Sequence, residues 1–240
     1  MTHRLSILLA GALVAGGLAV TAAAARSGHS SRPAVTTRFV PEITNPYLPY
    51  RPGNVWVYRG VKDGVSQKDV VRVTHRTRLI MGVRCTAITD VATHGARALE
   101  RTTDWYAQDR AGNVWYFGEA TAAYGANGTV DRSGSWLAGV HGARPGIVMT
   151  AHPRVGDAHR QEYWPGHAED QYWLVALGQR VHVPAGSYAG AARTLEWSRL
   201  EPSVIDEKFY VRGVGVVRET AAQGPPEVAS LVRMVRSAGS

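Results

Sequence analysis

Ionisable side chains are most concentrated between residues 152 and 170. This segment holds three histidines and four acidic residues: His152, Asp157, His159, Glu162, His167, Glu169 and Asp170. Imidazole nitrogens and carboxylate oxygens bind zinc and other first-row metals. Their spacing matches no defined metal motif, because on a strand positions 157 and 159 share a face that position 162 does not. We therefore expect a polar loop rim with no metal and no cofactor, and a zinc site is the alternative.

A second group of carboxylates lies beside aromatic residues and could form an acid/base pair in a cavity. The candidates are Glu100, Asp104, Glu119 and Glu196. Asp104 and Glu196 each precede a tryptophan, and burial among such rings would raise the pKa of a carboxyl group. The alternative is a structural ion pair, in which Arg101 or Arg193 neutralises Glu100 or Glu196. No serine-hydrolase elbow, zinc-protease motif, EF-hand or phosphate loop is present.

Aromatic residues carry the remaining chemical signal. The chain has seven tryptophans, and all of them follow residue 50. Large rings on a concave sheet face would line an apolar pocket for an acyl chain or another amphiphile. The predicted ligand-binding residues are Trp105, Trp115, Phe117, Trp197, Glu119 and Glu196. If these rings instead fill a closed core, no ligand site follows.

The elements that must position these residues have the two-residue period of β-strands. From Val71 to Leu79 the odd-numbered residues are mostly apolar and the even-numbered ones mostly basic, which predicts an apolar-in, basic-out strand. Gly and Asn within residues 109–113 predict a hairpin turn between two aromatic strands. Further hairpins are predicted around residues 184–186 and within residues 210–218. A terminal strand is predicted over residues 227–236.

These patterns predict a mainly β protein with no long helix, formed by a curved antiparallel sheet or incomplete β-barrel in one domain. Residues 133–146 are predicted to be a long loop or lid. The turn at residues 51–58 resembles that at residues 154–161, since both place Gly and then Asn or Asp before a strand. A duplicated half-sheet is one interpretation of this echo, and chance is the other.

Four motifs occur in the same order in a group of secreted bacterial β-proteins. They are G-N-V-W-V-Y at residues 53–58, V-G-D at 155–157, V-P-A-G-S-Y at 183–188 and Y-V-R-G-V-G-V-V at 210–217. On these motifs the chain resembles TapB-like and lipoprotein-carrier (LolA/LolB-like) sheets. The resemblance implies a curved antiparallel sheet around a hydrophobic centre, and it supplies no catalytic residue.

Residues 1–25 are predicted to be a secretory signal peptide. A basic start at His3 and Arg4 precedes an apolar run from Leu5 to Val20, and small residues end at a cleavage site after Ala25. An uncleaved anchor is the alternative. The predicted organisation continues with a flexible linker at 26–38, a β domain at 39–236 and a tail at 237–240. Cleavage would leave no transmembrane segment and a secreted, extracytoplasmic protein of the cell envelope.

The chain is basic, with 27 Lys and Arg residues against 19 Asp and Glu residues and a formal net charge of +8. Such an excess favours anionic envelope polymers or phospholipid surfaces as neighbours. Only three of these basic residues are lysines, which does not indicate a nucleic-acid surface. The single cysteine, Cys85, excludes an intramolecular disulfide, and we expect it to be a buried apolar residue.

The sequence thus favours a non-enzymatic role, in which the exported protein binds or carries an apolar or amphipathic ligand such as a lipid. Two alternatives remain. One is a secreted hydrolase-like enzyme that uses the carboxylates and histidines of residues 100–119 and 152–170. The other is a structural protein associated with the cell wall.

Overall fold

The structure is a computed structural model that describes residues 37–237. Sixteen strands make up the fold: β1 (Phe39–Val40), β2 (Val55–Lys62), β3 (Val65–Ile80), β4 (Val83–His94), β5 (Arg97–Asp109), β6 (Val114–Tyr124), β7 (Val130–Asp131), β8 (Trp136–Leu137), β9 (Arg144–Met149), β10 (Ala158–Arg160), β11 (Glu162–Tyr163), β12 (Asp170–Val183), β13 (Gly186–Ser198), β14 (Ile205–Val211), β15 (Gly215–Gln223) and β16 (Glu227–Val235). No helix occurs within this range. The predicted signal peptide, most of the predicted linker and the last three residues of the predicted tail lie outside the described residues.

All strand pairs are antiparallel and belong to one sheet that curves almost into a closed barrel. The strands follow the order β10-β12-β13-β14-β15-β16-β2-β3-β4-β5-β6-β9-β11. The two ends of this order, β10 and β11, are consecutive in the chain and are separated only by Gln161. The chain therefore bridges the two edges of the sheet itself, leaving one unsealed seam. The predicted fold class is confirmed.

Most of the predicted hairpins form as expected. Residues 109–113 join β5 to β6, and residues 184–185 join β12 to β13. Residues 133–146 are less open than predicted, since they contain β8 and the start of β9, which both pair with β6. Backbone pairing thus holds much of this segment against the sheet.

The predicted faces of β3 are right for only part of the strand. Val71 and Val73 are buried, but Leu79 is 72% exposed. The register with β4 shifts between Val73 and Thr77, where four residues of β3 are set against two of β4, and the regular alternation of faces is interrupted there. Beyond this irregularity Ile80, which the alternation predicts to lie outside, is buried.

The echo between the turns at residues 51–58 and 154–161 extends to their hydrogen bonds. The Val73 N–H of β3 donates to the carbonyl of Asn54 at 3.0 Å, and the Leu174 N–H of β12 donates to that of Asp157 at 2.8 Å. In each turn the glycine before Asn54 or Asp157 donates its N–H to the carbonyl of the same strand residue, at 2.9 Å in both cases. The two turns therefore dock onto their strands in the same way.

The likeness continues along the sheet. After each turn, four long strands run as two successive hairpins: β3, β4, β5 and β6 in the first half, and β12, β13, β14 and β15 in the second. β16 then pairs with β2 and joins the halves. The structure supports the duplicated half-sheet as the interpretation of the sequence echo.

Side chains inside the sheet form an aromatic centre. Tyr106 stacks on Tyr116 with 4.9 Å between ring centroids, and Tyr50 contacts Tyr106 at 5.2 Å and Trp56 at 5.9 Å. These rings are all less than 5% exposed. Burying them contributes much of the apolar stabilisation that a chain without disulfides requires. Cys85 is buried as well, and burial raises the pKa of its thiol to about 12.

Candidate functional site

The interior next to this aromatic centre holds an unusual number of acidic side chains. The first half contributes Asp69, Asp90, Glu100, Asp104 and Glu119, the second contributes Asp170, Glu196 and Glu219, and Glu162 comes from the seam. None of them is more than 9% exposed. Since an unpaired buried charge is costly, each must be neutralised by an ion pair, hydrogen bonds or a retained proton.

Strand register shows that Asp104 and Lys208 occupy equivalent places in the two halves. Asp104 on β5 lies opposite Glu119 of β6, and Lys208 on β14 lies opposite Glu219 of β15. On the other side Asp104 pairs with a β4 residue and Lys208 with the corresponding β13 residue. The second half thus has a cation where the first half has another acid.

In the second half, Lys208 is the centre of a buried ion-pair network. Its Nζ lies 2.8 Å from a Glu196 carboxylate oxygen and 3.7 Å from a Glu219 oxygen. The Tyr210 hydroxyl and the Thr194 hydroxyl donate to the other Glu196 oxygen, each at 2.9 Å. Burial by itself would raise the pKa of Glu196, but Lys208 and these hydrogen bonds outweigh it and the pKa lies below its ordinary value. The prediction of a raised pKa is wrong for Glu196, and its partner is Lys208, whereas Arg193 pairs with Glu207.

In the first half, hydrogen bonds take the place of an ion pair. Tyr116 donates its hydroxyl to Asp104 at 2.8 Å, while Thr102 and Thr121 donate to Glu100 at 2.8 and 2.9 Å. Burial raises the pKa of both carboxyl groups by more than these hydrogen bonds lower it, and each pKa lies at about 7. The predicted rise is confirmed for Asp104.

Asp69 and Asp90 form a carboxyl pair in this half. Burial raises the pKa of both, and the Asp69 charge raises that of Asp90 further. A proton kept by Asp90 is shared with Asp69, because two close carboxylates cannot both ionise in the interior. Retained protons thus neutralise much of the first half, and the Lys62 charge lowers the pKa of Asp69 in part.

A pocket of about 230 Å³ opens beside this acidic half. Its lining consists of Arg78, Trp105, Glu119, Ala120, Ser135, Trp136, Leu137, Val140, His141 and Trp164. The pairing of β8 with β6 brings Trp136 opposite Glu119, and His141 stacks on Trp164 at 6.0 Å. We call this the tryptophan pocket, since three indole rings form its walls. The Arg78 guanidinium carbon lies 4.5 Å from the centre of the Trp105 ring system.

Glu119 is the acidic group of the tryptophan pocket. It is 5% exposed, and no hydrogen bond or ion pair joins its carboxyl group to another described side chain. Burial and the nearby Asp104 raise its pKa well above the ordinary value. The raised pKa favours the protonated form of this carboxyl group, which can donate a hydrogen bond to a guest.

The six predicted ligand-binding residues do not form one site. Trp105 and Glu119 line the tryptophan pocket, whereas Trp115 lines a separate cleft near the seam. Phe117 is fully buried against Phe39, 5.4 Å between ring centroids. The remaining two lie on β13, where Glu196 belongs to the Lys208 network and Trp197 is partly buried.

The predicted polar segment at residues 152–170 is split by the fold. Glu162 and Asp170 are buried inside, while the His159 ring stacks on Tyr172 and the His167 ring on Trp164. Within residues 37–237 no three His, Cys, Asp or Glu side chains are grouped in a way that could hold a metal ion.

Sequence reasoning missed several residues of the pocket and the interior. Trp136 and His141 come from the predicted loop at residues 133–146, Trp164 comes from the polar segment at residues 152–170, and Lys208 comes from β14, just before the motif at residues 210–217. Trp136 lies inside the Gly-rich segment at residues 133–146, and an aromatic residue inside a Gly-rich loop is a signal that could have been used. Lys208 has a weaker signal: it is one of only three lysines in an arginine-rich chain.

No protein-family model and no curated protein matches this chain. Among solved structures it is similar to a candidate exported protein with a YmcC-like fold from Bacteroides fragilis, with a TM-score of 0.44 and 12% identity over 83% of this chain and 100% of the other. It is also similar to a candidate lipoprotein from Parabacteroides distasonis, with the same score and identity over 80% of this chain and 99% of the other. Neither description names a TapB-like or lipoprotein-carrier protein, so that resemblance stays a prediction. The part of the chain that is described contains no helix long and apolar enough to cross a membrane.

Proposed function

We propose that this chain is an exported binding protein of the cell envelope, and that the tryptophan pocket takes the apolar part of an amphipathic ligand. The observation that carries the proposal is the set of three indole rings around a partly open space with one unpartnered carboxyl group. Apolar walls with few polar groups are typical of ligand pockets. The predicted signal peptide supports export, and the proposed class of ligand is a lipid or similar amphiphile.

The rim of the pocket suits an amphiphile. Arg78 and His141 offer cationic or hydrogen-bonding groups at the edge, while Leu137 and Val140 extend the apolar wall. Each buried methylene of a guest contributes about 0.8 kcal/mol, so about ten of them match the free energy of micromolar binding. The raised pKa of Glu119 favours its neutral form, which lowers the cost of placing an apolar guest beside it.

The test uses Val140, which lines the pocket and is 42% exposed. Val140→Glu places a charge in the pocket without disturbing the core. We expect it to weaken binding of a long-chain fatty acid or lysophospholipid by at least about tenfold, measured by calorimetry and tryptophan fluorescence. The matched control is Val155→Glu, because Val155 is 61% exposed and lies outside the pocket. Equal affinities of the two variants, or no binding by the unchanged protein, would refute the proposal.

A hydrolytic role is the second candidate, and one observation favours it. Glu119 and His141 line the same pocket, and a protonated carboxyl group with a raised pKa suits a general acid. Mass spectrometry of the bound amphiphile separates the two roles. Recovery of an intact ligand supports binding alone, whereas cleavage that disappears in Glu119→Gln supports the enzyme.

A further inference from the structure

A second cleft, of about 460 Å³, lies where the two edges of the sheet meet. Its lining residues are Trp115, Arg144, Pro145, Gly146, Ile147, His159, Arg160 and Tyr163, and none of them lines the tryptophan pocket. They belong to β6, β9, β10 and β11, so the cleft spans the seam. We call it the seam cleft.

Two arginines converge on one ring in the seam cleft. The guanidinium carbon of Arg160 lies 4.2 Å from the centre of the Tyr163 ring, and that of Arg144 lies 6.0 Å from it. Arg144 is the register partner of Tyr163 in the β9–β11 pair. Gly146 allows the approach of β10, because a Cβ at that position would overlap the carbonyl oxygen of Arg160. The backbone therefore sets the positions of both arginines.

The positive charge of the cleft is not cancelled by the protein. Among the residues that the structure describes, neither Arg144 nor Arg160 forms an ion pair. The carboxylate that meets the cleft lining is Asp109, and it already accepts hydrogen bonds from Trp115 Nε1 at 2.8 Å and from Asn113. Two guanidinium groups on one ring repel each other, and an anion between them would relieve that repulsion.

The chemistry of this lining suits a phosphate ester. Guanidinium groups bind phosphate oxygens in a bidentate geometry, and a phosphate ester can engage two of them at once. The Trp115, Ile147 and Tyr163 side chains offer an apolar floor for the organic part of the ester. We propose that the seam cleft binds a phosphate ester group. This site is additional to the proposed function and does not depend on the occupant of the tryptophan pocket.

The experiment measures phosphate binding by the folded, secreted form of the chain. Inorganic phosphate and glycerol 3-phosphate are titrated by calorimetry, and phosphatidylcholine vesicles with and without phosphatidylglycerol are tested by co-sedimentation. Arg144→Gln and Arg160→Gln change exposed side chains, and each should weaken binding by about tenfold. Arg72→Gln is the matched control, an exposed arginine on β3 with the same change of charge, and should weaken binding less than twofold.

The two sources of a phosphate ester give different results. A preference for glycerol 3-phosphate without enrichment on phosphatidylglycerol vesicles identifies a soluble ester, and the reverse identifies a lipid head group. The proposal is overturned if neither probe binds at millimolar concentration, or if Arg72→Gln weakens binding as much as the cleft variants. Val140→Glu should leave phosphate binding unchanged, so failure of the tryptophan pocket and failure of this site are distinguishable.

Discussion

Asp104 and Lys208 occupy equivalent places in two half-sheets that have the same strand order. The buried carboxyl groups around them are nevertheless neutralised in different ways. Around Lys208, an ammonium group holds Glu196 ionised at 2.8 Å. Around Asp104, no described residue forms an ion pair with the carboxyl group, and its pKa is raised to about 7 by burial. The same strand arrangement thus accommodates buried ion pairs in one half and protonated carboxyl groups in the other.

This difference shows that the two halves of a duplicated scaffold can take different roles. The ion pair fixes charge in the second half, and removing either partner would leave a buried charge alone. The first half keeps titratable groups beside a pocket, where their protonation responds to pH. The tryptophan pocket is lined by Glu119 of this half.

The largest expected effect comes from removing the cation of the second half. Lys208→Met leaves the Glu196 carboxylate buried without its ion pair and should lower the free energy of unfolding by about 3–5 kcal/mol in urea denaturation at pH 7. Lys68→Met, at an exposed lysine of β3, is the control and should change stability by less than about 0.5 kcal/mol. A loss of under about 1 kcal/mol for Lys208→Met would contradict the ion-pair interior.

The pH dependence of stability tests the protonated half. Between the ordinary carboxyl pKa and about 7, folded Asp104 and Glu100 keep protons that the unfolded chain releases. Stability from each group is therefore complete below the ordinary pKa and is lost as pH rises, with a slope of about 1.4 kcal/mol per pH unit. Asp104→Asn should flatten the profile between pH 5 and 7. Asp63→Asn, in an exposed turn, should not, and identical profiles for both variants would rule out the assignment.

The two equivalent turn glycines test whether the half-sheets share backbone constraints. Gly53 and Gly156 have φ angles of +91° and +98°, so alanine at either position costs about 1–2 kcal/mol. Gly53→Ala should cost more, because its Cβ would lie 3.0 Å from Ser237 while open space surrounds that of Gly156. Thermal denaturation of both variants measures the difference, and a larger loss for Gly156→Ala would contradict it.

The smallest expected effect is that of Glu119→Gln. Because burial raises the pKa of Glu119 and favours its neutral form, an amide of the same shape is a close substitute, and stability at pH 7 should change by less than about 1 kcal/mol. The same change at Glu196 removes an ionised partner of Lys208 and should cost several times more. Equal losses, compared by urea denaturation, would mean that Glu119 is ionised.

Local sequence patterns were sufficient to predict most strands and turns. Period-two alternation and turn residues located the hairpin at residues 109–113 and the terminal strand, since both signals act within a few residues. The flipped faces of β3 after Val73 were not predictable in this way, because the register shift depends on how β4 pairs with it. The closing of the sheet by β10 and β11 likewise depends on contacts between distant parts of the chain.

The candidate site was predictable only in part for the same reason. Trp105 and Glu119 were predicted as ligand-binding residues and line one pocket, but Trp136 reaches them only through the pairing of β8 with β6. Lys208 could not be assigned to Glu196 from the sequence, because the two residues belong to neighbouring strands and no motif marks the pair. Arginines adjacent in sequence were poor guides to the partners of buried acids.

The bridging of the sheet edges by one short segment has a thermodynamic consequence. β10 has three residues and β11 has two, so far fewer backbone hydrogen bonds hold the segment that bridges the two edges of the sheet than hold any long hairpin. Amide protons of residues 158–163 should exchange faster than those of the long hairpins, because this is where the sheet opens at a low cost. The seam cleft borders this segment through Tyr163, and the tryptophan pocket borders the next residue, Trp164. A guest that binds the closed sheet more tightly than the sheet with this segment opened must therefore slow that exchange. Ligand occupancy would then be coupled to the cooperativity of the whole fold.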